Sequence, residues 1–333
     1  MSKSKVKMVN IIKLSKKKSK LLYYLSLDGR ASLGSLAKNL KMSKQGVKYL
    51  LDKLEANKVI GGYYAIVDIY KLGYQFYRLF LKFQNISSED EQKIIDYAKT
   101  LKRVGWIVQF QGEYDIDIVI WSKNIKEFED VYLNILEKFS KNIQNRDISV
   151  ASKIIYYKYR FFGHQGSSKE LIMGKSVGDA RLDSIDLNLL AFLSKNGRAS
   201  LVELSKKLGI SQKRAWYRKR RLEKEGIILG YNYKLNHKLL GYTHTKIFIL
   251  MSPFSAESRN QLVYHISQLK EVIYTTIPVG QYDLEFEVMT QTNEELHAIM
   301  GGLREKFSNV IKEINSIIFY YEPKIDYFPI MDI

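Results

Sequence analysis

The stretch SLVELSKKLGISQKRAWYRKRRLE, residues 200–223, decides the fold. Ser200 precedes an apolar face of Leu201, Leu204 and Leu208, and Glu203 stands three residues after it, the arrangement of a capping box. Gly209 ends that helix, Ser211 is an N-cap for the next, and the pattern runs to Glu225 before Gly226 stops it. Upstream, Leu187–Leu193 reads as a short helix broken by Gly197. Downstream, Ile227–Tyr233 reads as a strand with a turn near Tyr231–Lys234. Three helices, the last two joined by a tight turn, followed by a β-hairpin predict a winged helix-turn-helix whose third helix can enter the major groove. On that helix Ala215 and Leu222 face inward, Gln212, Lys213, Trp216, Tyr217 and Arg220 face outward, and Arg218 and Arg221 flank them. Together with Arg214 these are the expected contacts to double-stranded DNA, since a guanidinium can meet a phosphate or pair with guanine in bidentate fashion.

The same pattern occurs twice. Gly-Arg-Ala-Ser-Leu stands at Gly29–Leu33 and at Gly197–Leu201, and the same offset carries Leu72-Gly73-Tyr74 onto Leu240-Gly241-Tyr242, Gly112, Tyr114 and Asp115 onto Gly280, Tyr282 and Asp283, and Glu137-Lys138-Phe139 onto Glu305-Lys306-Phe307. Between Leu21–Tyr74 and Leu189–Tyr242, 22 of 54 positions are identical without a gap. The chain is therefore two copies of one bipartite unit. In copy one Ser32 and Ser43 are the caps and Val59–Val67 the strand; its third helix, Ser43–Asn57, offers Lys44, Gln45, Lys48 and Tyr49 to DNA beside Asp52, which would repel phosphate.

Charge follows the same division. Of a net +18, residues 1–74 carry 16 basic against 4 acidic side chains and residues 181–242 carry 14 against 5, whereas 75–160 carry 14 against 12 and 243–333 carry 7 against 12. A lysine-rich arm over residues 1–20 (Lys3, Lys5, Lys7, Lys13, Lys16, Lys17, Lys18, Lys20) suits sequence-independent phosphate contact.

The neutral half of each copy reads as βαββαβ, the ferredoxin-like plan. In copy one the strands are Gln75–Phe83, Trp106–Gln111, Tyr114–Trp121 and Ile148–Tyr159, with helices Ser87–Leu101 and Ile125–Phe139. Copy two gives Thr245–Met251, Ala256–Leu269, Val272–Val279, Tyr282–Thr290, Asn293–Phe307 and Ile314–Tyr321. The expected class is α+β, two winged helix-turn-helix domains (21–74 and 181–242) alternating with two ferredoxin-like domains (75–161 and 243–333). A Gly- and Ser-rich stretch, 162–180, reads as an adaptable connector.

Several classes of chemistry find no support. There is no cysteine, so disulfides and thiolate chemistry are excluded. No P-loop, Gly-x-Gly-x-x-Gly or Ser/His/Asp pattern appears. The five histidines (His164, His237, His244, His265, His297) show no metal spacing and read as surface or hairpin residues. No cofactor or metal is expected, and with no long apolar run a membrane span is not expected either, which favours a cytoplasmic protein.

The run Leu182-Asp183-Ser184-Ile185-Asp186, with Gly197-Arg198-Ala199-Ser200, Leu208-Gly209-Ile210-Ser211, Arg218, Arg221-Leu222-Glu223, Glu225-Gly226 and Gly230-Tyr231, resembles the N-terminal module of the Lrp/AsnC, or feast/famine, transcription regulators. The turns Gly112–Asp115 and Gly280–Asp283 resemble the turn between the second and third strands of that family's sensor domain. The resemblance covers nearly the whole chain as two units in tandem. It implies dimers built through the sensor sheets, higher homo-oligomers and amino acids as small-molecule effectors, with Gly112, Tyr114, Asp115, Gly280, Tyr282 and Asp283 as candidate ligand contacts. Glu285 and Glu287 follow on alternate strand positions, which would suit a cationic ligand or simply solvent. Copy one departs from the pattern, with Ser15 and Lys18 opposite Asp183 and Asp186, Leu50 opposite Arg218 and Lys58 opposite Gly226. The two sensor domains are expected to pair within the chain as a pseudo-dimer. The other readings are a sequence-tolerant architectural DNA-binding protein and an enzyme like the sirohaem decarboxylases, which share the two-domain unit. Arg103–Gln111 and Glu271–Val279 contain no histidine to match the catalytic neighbourhood of those enzymes.

Overall fold

The computed structural model describes residues 10–163, 170–178 and 180–329. Lys3, Lys5 and Lys7 of the expected arm, and His164, Gly166, Ser167 and Ser168 of the expected connector, lie outside them. Copy one runs α1 (Lys16–Leu27), α2 (Leu33–Leu40), α3 (Lys44–Ala56), β1 (Ile60–Val67), β2 (Gln75–Phe83), α4 (Ser88–Thr100), β3 (Val104–Gln111), β4 (Ile116–Ser122), α5 (Ile125–Phe139) and β5 (Ile143–Tyr156). A short β6 (Leu171–Met173) follows. Copy two repeats the order as α6 (Ser184–Lys195), α7 (Leu201–Leu208), α8 (Gln212–Lys224), β7 (Ile228–Leu235), β8 (Thr243–Met251), α9 (Ala256–Gln268), β9 (Val272–Val279), β10 (Leu284–Thr290), α10 (Asn293–Lys306) and β11 (Ile311–Ile325).

The helix starts follow the capping chemistry. Ser32, Ser43 and Ser211 each accept a bond from the backbone N–H three residues on, and Ser200 and Glu203 form a reciprocal capping box. Asp183 and Asp186 form a second box, which is why α6 begins at Ser184, three residues before the apolar pattern shows it. The lysines at 16–18 and 20 sit in the first turns of α1, capped by Ser15, and are not an extended arm.

The strand behind each third helix does not fold back on itself. Residues 231–234 continue β7, and β1 and β7 pair antiparallel with each other (Tyr63 opposite Tyr233, Ala65 opposite Tyr231), forming a two-stranded ribbon between copies. None of residues 231–234 takes the positive φ that a tight hairpin demands, so the partner edge comes from the other copy. The helices cross over as well: α6 packs on β1 and α1 on β7.

The remaining long strands close into a ring in the order β2-β4-β3-β11-β8-β10-β9-β5, with β5 returning to β2. The crossing is made by the last strand of each copy. β5 pairs β2 up to Ala151 and then β9 to Tyr156, while β11 pairs β8 up to Ile318 and then β3 to Ile325. The ring leaves neither sheet a free edge of full length. Helices α4 and α5 cover one sheet and α9 and α10 the other. Phe80, Phe110, Tyr114, Phe248, Tyr282 and Phe319 form a core drawn from both copies. The described part of the expected connector is fastened rather than free: β6 pairs with β5, and the Gly174 amide donates to Asp68. No helix among the described residues is long and apolar enough to cross a membrane.

Candidate nucleic-acid interface

On α8 the side chains divide into two sets. Ala215 and Leu222 are buried, while Gln212, Lys213, Arg214, Trp216, Tyr217 and Arg220 are exposed. The Trp216 and Tyr217 rings meet edge-on at 4.9 Å and Arg220 lies 5.8 Å from the Trp216 ring centre, so a cation and two aromatic rings share one face. Arg218 and Arg221 have a different role. Arg218 donates to Asp183 and to Asp186 at 2.8 Å each, Arg221 also pairs with Asp186, and the Asp186 side chain is only 1% exposed. These two arginines tie α8 to α6. Lys219 pairs with Glu223 at 2.7 Å, and Tyr231 of β7 donates to the same carboxylate at 2.8 Å.

On α3, Lys44, Gln45, Lys48 and Tyr49 are exposed as expected. Lys48 pairs with Asp52 at 2.7 Å, which offsets the charge that would repel phosphate, and Lys53 lies over the Tyr49 ring at 4.7 Å. The positions that differ between copies differ together. Where copy two has the Asp183, Asp186, Arg218 and Arg221 cluster, copy one has Ser15, Lys18, Leu50 and Lys53. Copy one lacks an internal ion cluster there, and its outward face stays cationic.

The strictest repeats lie where the copies meet. Gly29 and Gly197 approach the opposite copy so closely that a Cβ would stand 2.9 Å from the Asn232 amide nitrogen and 2.6 Å from that of Tyr64. The Arg30 guanidinium donates to the carbonyls of Gly197 and Ala199 at 2.6 and 2.9 Å, and that of Arg198 to those of Gly29 and Ala31 at 2.6 and 3.2 Å. The sequence alone reads Gly-Arg-Ala-Ser-Leu as a marker of duplication, a helix boundary and part of the family resemblance, and does not assign it to the contact between copies. Its invariance between copies was the signal, because a two-fold interface applies the same demand to both partners.

The Gly-x-Tyr-Asp turns behave likewise. Tyr114 donates to Asp147 at 2.6 Å, and Tyr282 reaches across to Glu113 of copy one at 3.0 Å. Asp115 accepts the Phe83 amide and Asp283 the Met251 amide, both at 2.7 Å. Both tyrosines are buried, and a Cβ at Gly112 or Gly280 would press on the opposite copy. The hydroxyls and carboxylates of these candidate ligand contacts are thus engaged within the chain.

Glu285 and Glu287 are buried, not exposed. Arg78 donates to Asp117 at 3.0 Å and also meets Glu285; Lys246 lies 2.7 Å from Glu285 and 3.3 Å from Glu287; His244 Nε2 is 3.0 Å from Glu287. Burial alone would raise the Glu287 carboxyl, but Lys246 and His244 outweigh it and hold it at about 2. His237 and His244 are buried against the surface expectation, with burial and the neighbouring His244 holding His237 down at about 4. Between the β1/β7 ribbon and the ring lies a cavity of about 240 Å³, lined by both copies.

A winged helix-turn-helix DNA-binding family model matches the chain twice, at residues 14–60 and 182–228. The chain is similar to an HTH-type transcriptional regulator of Pyrococcus furiosus (34% identical over 139 residues, 41% of this chain and 93% of that protein). It is also similar to the proline dehydrogenase transcriptional activator of Rhizobium radiobacter (30% over 139 residues, 41% and 87%) and the regulatory protein AsnC of Haemophilus influenzae (29% over 120 residues, 36% and 79%). Among solved structures, the siroheme decarboxylase NirDL superposes with a TM-score of 0.62 over 94% of both chains at 11% identity, a likeness of fold alone.

Proposed function

The chain belongs to the Lrp/AsnC family of HTH-type transcriptional regulators, as two family units in tandem, and from that premise we propose that it acts in the cytoplasm as a sequence-specific DNA-binding pseudo-dimer reading an asymmetric site. The observation that carries this is the pair of unlike reading helices fixed on one clasped ribbon. The face of α8 presents Gln212, Lys213, Arg214, Trp216, Tyr217 and Arg220, that of α3 Lys44, Gln45, Lys48 and Tyr49. On α8 the exposed guanidiniums and rings can read base edges and thymine methyl groups. On α3 the shorter, lysine-based set favours phosphates, which position without specifying. A small effector of the amino-acid class, as the family implies, would shift the balance between DNA-binding states, and association of whole chains into homo-oligomers remains part of the proposal.

The fold likeness to a decarboxylase carries no activity across. Glu287 and Glu322 in the wall of the cavity would oppose a polycarboxylate macrocycle. Charge therefore supports the regulator reading.

Selection of bound fragments from randomised duplex DNA, at low and near-physiological salt, tests the proposal. An asymmetric motif that survives the higher salt, and relaxes in Arg214→Ala and Arg220→Ala, supports it. Binding that is featureless and lost at higher salt overturns it in favour of an architectural protein held by phosphate neutralisation.

A further inference from the structure

Two of the three tryptophans, Trp106 and Trp121, stand in the wall of the cavity between ribbon and ring. At about 240 Å³ it is many times what a single water needs, with room for one substituted ring. Its walls are flat. Tyr64 and Tyr327 stack with centroids 3.6 Å apart, and Tyr156 meets Tyr274 edge-on at 4.7 Å.

The charge around the cavity is unbalanced. Of the charged groups that line it, Glu287, Glu322 and Asp326 are carboxylates, against Arg78 and Lys234 as permanent cations; Arg78 is engaged with Asp117 and Glu285, and Glu287 with Lys246 and His244. Glu322 accepts from Trp106 Nε1 at 3.0 Å and has no ion pair among the described residues. Asp326 pairs with Lys324 at 3.8 Å, and Lys234 lies 5.0 Å from the ring centre of Tyr327. A buried surplus of carboxylate favours a cation, and flat apolar walls favour a ring.

We propose that this cavity is an effector site for a small aromatic cation of arylalkylamine size, with its ring among the tyrosines and its ammonium donating to Glu322. The consequence follows from position. The cavity touches β1 and β7, which carry α3 and α8, and the ring beneath them, so an occupant contacts the DNA-reading layer and the sensor layer at once. That consequence rests on the regulator reading; the binding itself does not.

The test uses the full chain carrying Trp216→Phe, which leaves the two cavity tryptophans as its indole fluorophores, and titrates phenethylamine with phenylacetate as the anionic counterpart. The expected result is a saturable change in indole emission with phenethylamine and none with phenylacetate. In Glu322→Gln, which keeps an acceptor for Trp106, affinity falls about tenfold, the loss of one charged hydrogen bond. In Ile154→Phe, which narrows the cavity from its wall, the response disappears while the melting transition is retained. No saturable response to phenethylamine, an equal response to phenylacetate, or an unchanged affinity in Glu322→Gln overturns the proposal. Should Ile154→Phe fail to fold, Glu322→Gln decides alone. Because fluorescence reads the cavity without DNA, failure here and failure of the regulator reading are separate results.

Discussion

The guanidinium of Arg30 in copy one lies 5.1 Å from the ring centre of Tyr231 in copy two, and the Tyr231 hydroxyl donates to Glu223 in the last turn of α8. The relationship is reciprocal, since Arg198 lies 4.3 Å from the ring centre of Tyr63, which donates to Glu55 of α3. Each copy therefore braces the reading helix of the other. Arg30→Ala removes two charge-assisted bonds to carbonyls and the stacking on Tyr231. We expect a loss of about 1.5–3 kcal/mol in thermal or denaturant unfolding, together with weaker DNA binding even though Arg30 is not on the reading face. Arg30→Lys rescues only part of this, because an ammonium cannot reproduce the planar fork.

Glycine substitutions separate close approach from helix propensity. In Gly197→Ala the new Cβ meets the Tyr64 backbone at 2.6 Å, so the copies must part; the melting temperature should fall. Gly34, inside α2, has only the end of the flexible Lys44 side chain within 3.4 Å. Gly34→Ala should therefore stabilise the chain by about 0.5–1 kcal/mol. A Gly197→Ala variant as stable as the parent, or more stable, would contradict the interface reading of the repeated glycines.

The two classes of arginine on α8 should respond oppositely. Asp186→Ala leaves Arg218, with its side chain 19% exposed, without its buried partner and should lower stability by about 1.5–3 kcal/mol. Arg214→Ala and Arg220→Ala should leave the melt nearly unchanged. If each arginine contacts a phosphate, its removal lowers the salt slope of DNA affinity by about one. Melting curves and salt titrations on the three variants provide the comparison.

Acid should loosen the joint between ribbon and ring. His237 is held at about 4, below its usual 6.5, so the unfolded chain takes up a proton there before the folded one does. Stability is complete above about 6.5 and falls as pH drops towards 4, by at most roughly 3 kcal/mol for this residue. Glu287, held at about 2, adds a further loss as pH falls from about 4.5 to 2. His237→Gln should flatten the first segment of the pH–stability curve and leave the second. A curve whose upper segment is unchanged in that variant would contradict the assignment.

Much of this architecture was legible in the sequence because short-range chemistry governs it. β2, α5 and β9 occupy the residue ranges expected of them, since alternation and helical periodicity are local signals bounded by turns and caps. The exposed halves of α3 and α8 could be listed in advance for the same reason. What could not be read was the partner of each strand edge and each charge. Nothing local distinguishes Arg218, tied to Asp183 and Asp186, from Arg220, whose side chain is exposed. Glu285 and Glu287 alternate along their strand as solvent carboxylates would, yet a second sheet covers them.

The sequence by itself determined that the chain is a duplication, that each copy begins with a helix-turn-helix and continues as βαββαβ, and that positive charge gathers on the first half of each copy. All of these rest on spacing within a few dozen residues. Only the tertiary structure decided that the wing strands β1 and β7 pair with each other, that β5 and β11 cross to close one ring, and that the repeated Gly-Arg and Gly-x-Tyr-Asp motifs serve the joint between copies. The physical reason is that a strand edge or a buried guanidinium requires a partner of a given chemistry but does not encode its distance along the chain. Here the offset copy supplies it, from about 168 residues away, as Arg30 and Ala199 illustrate.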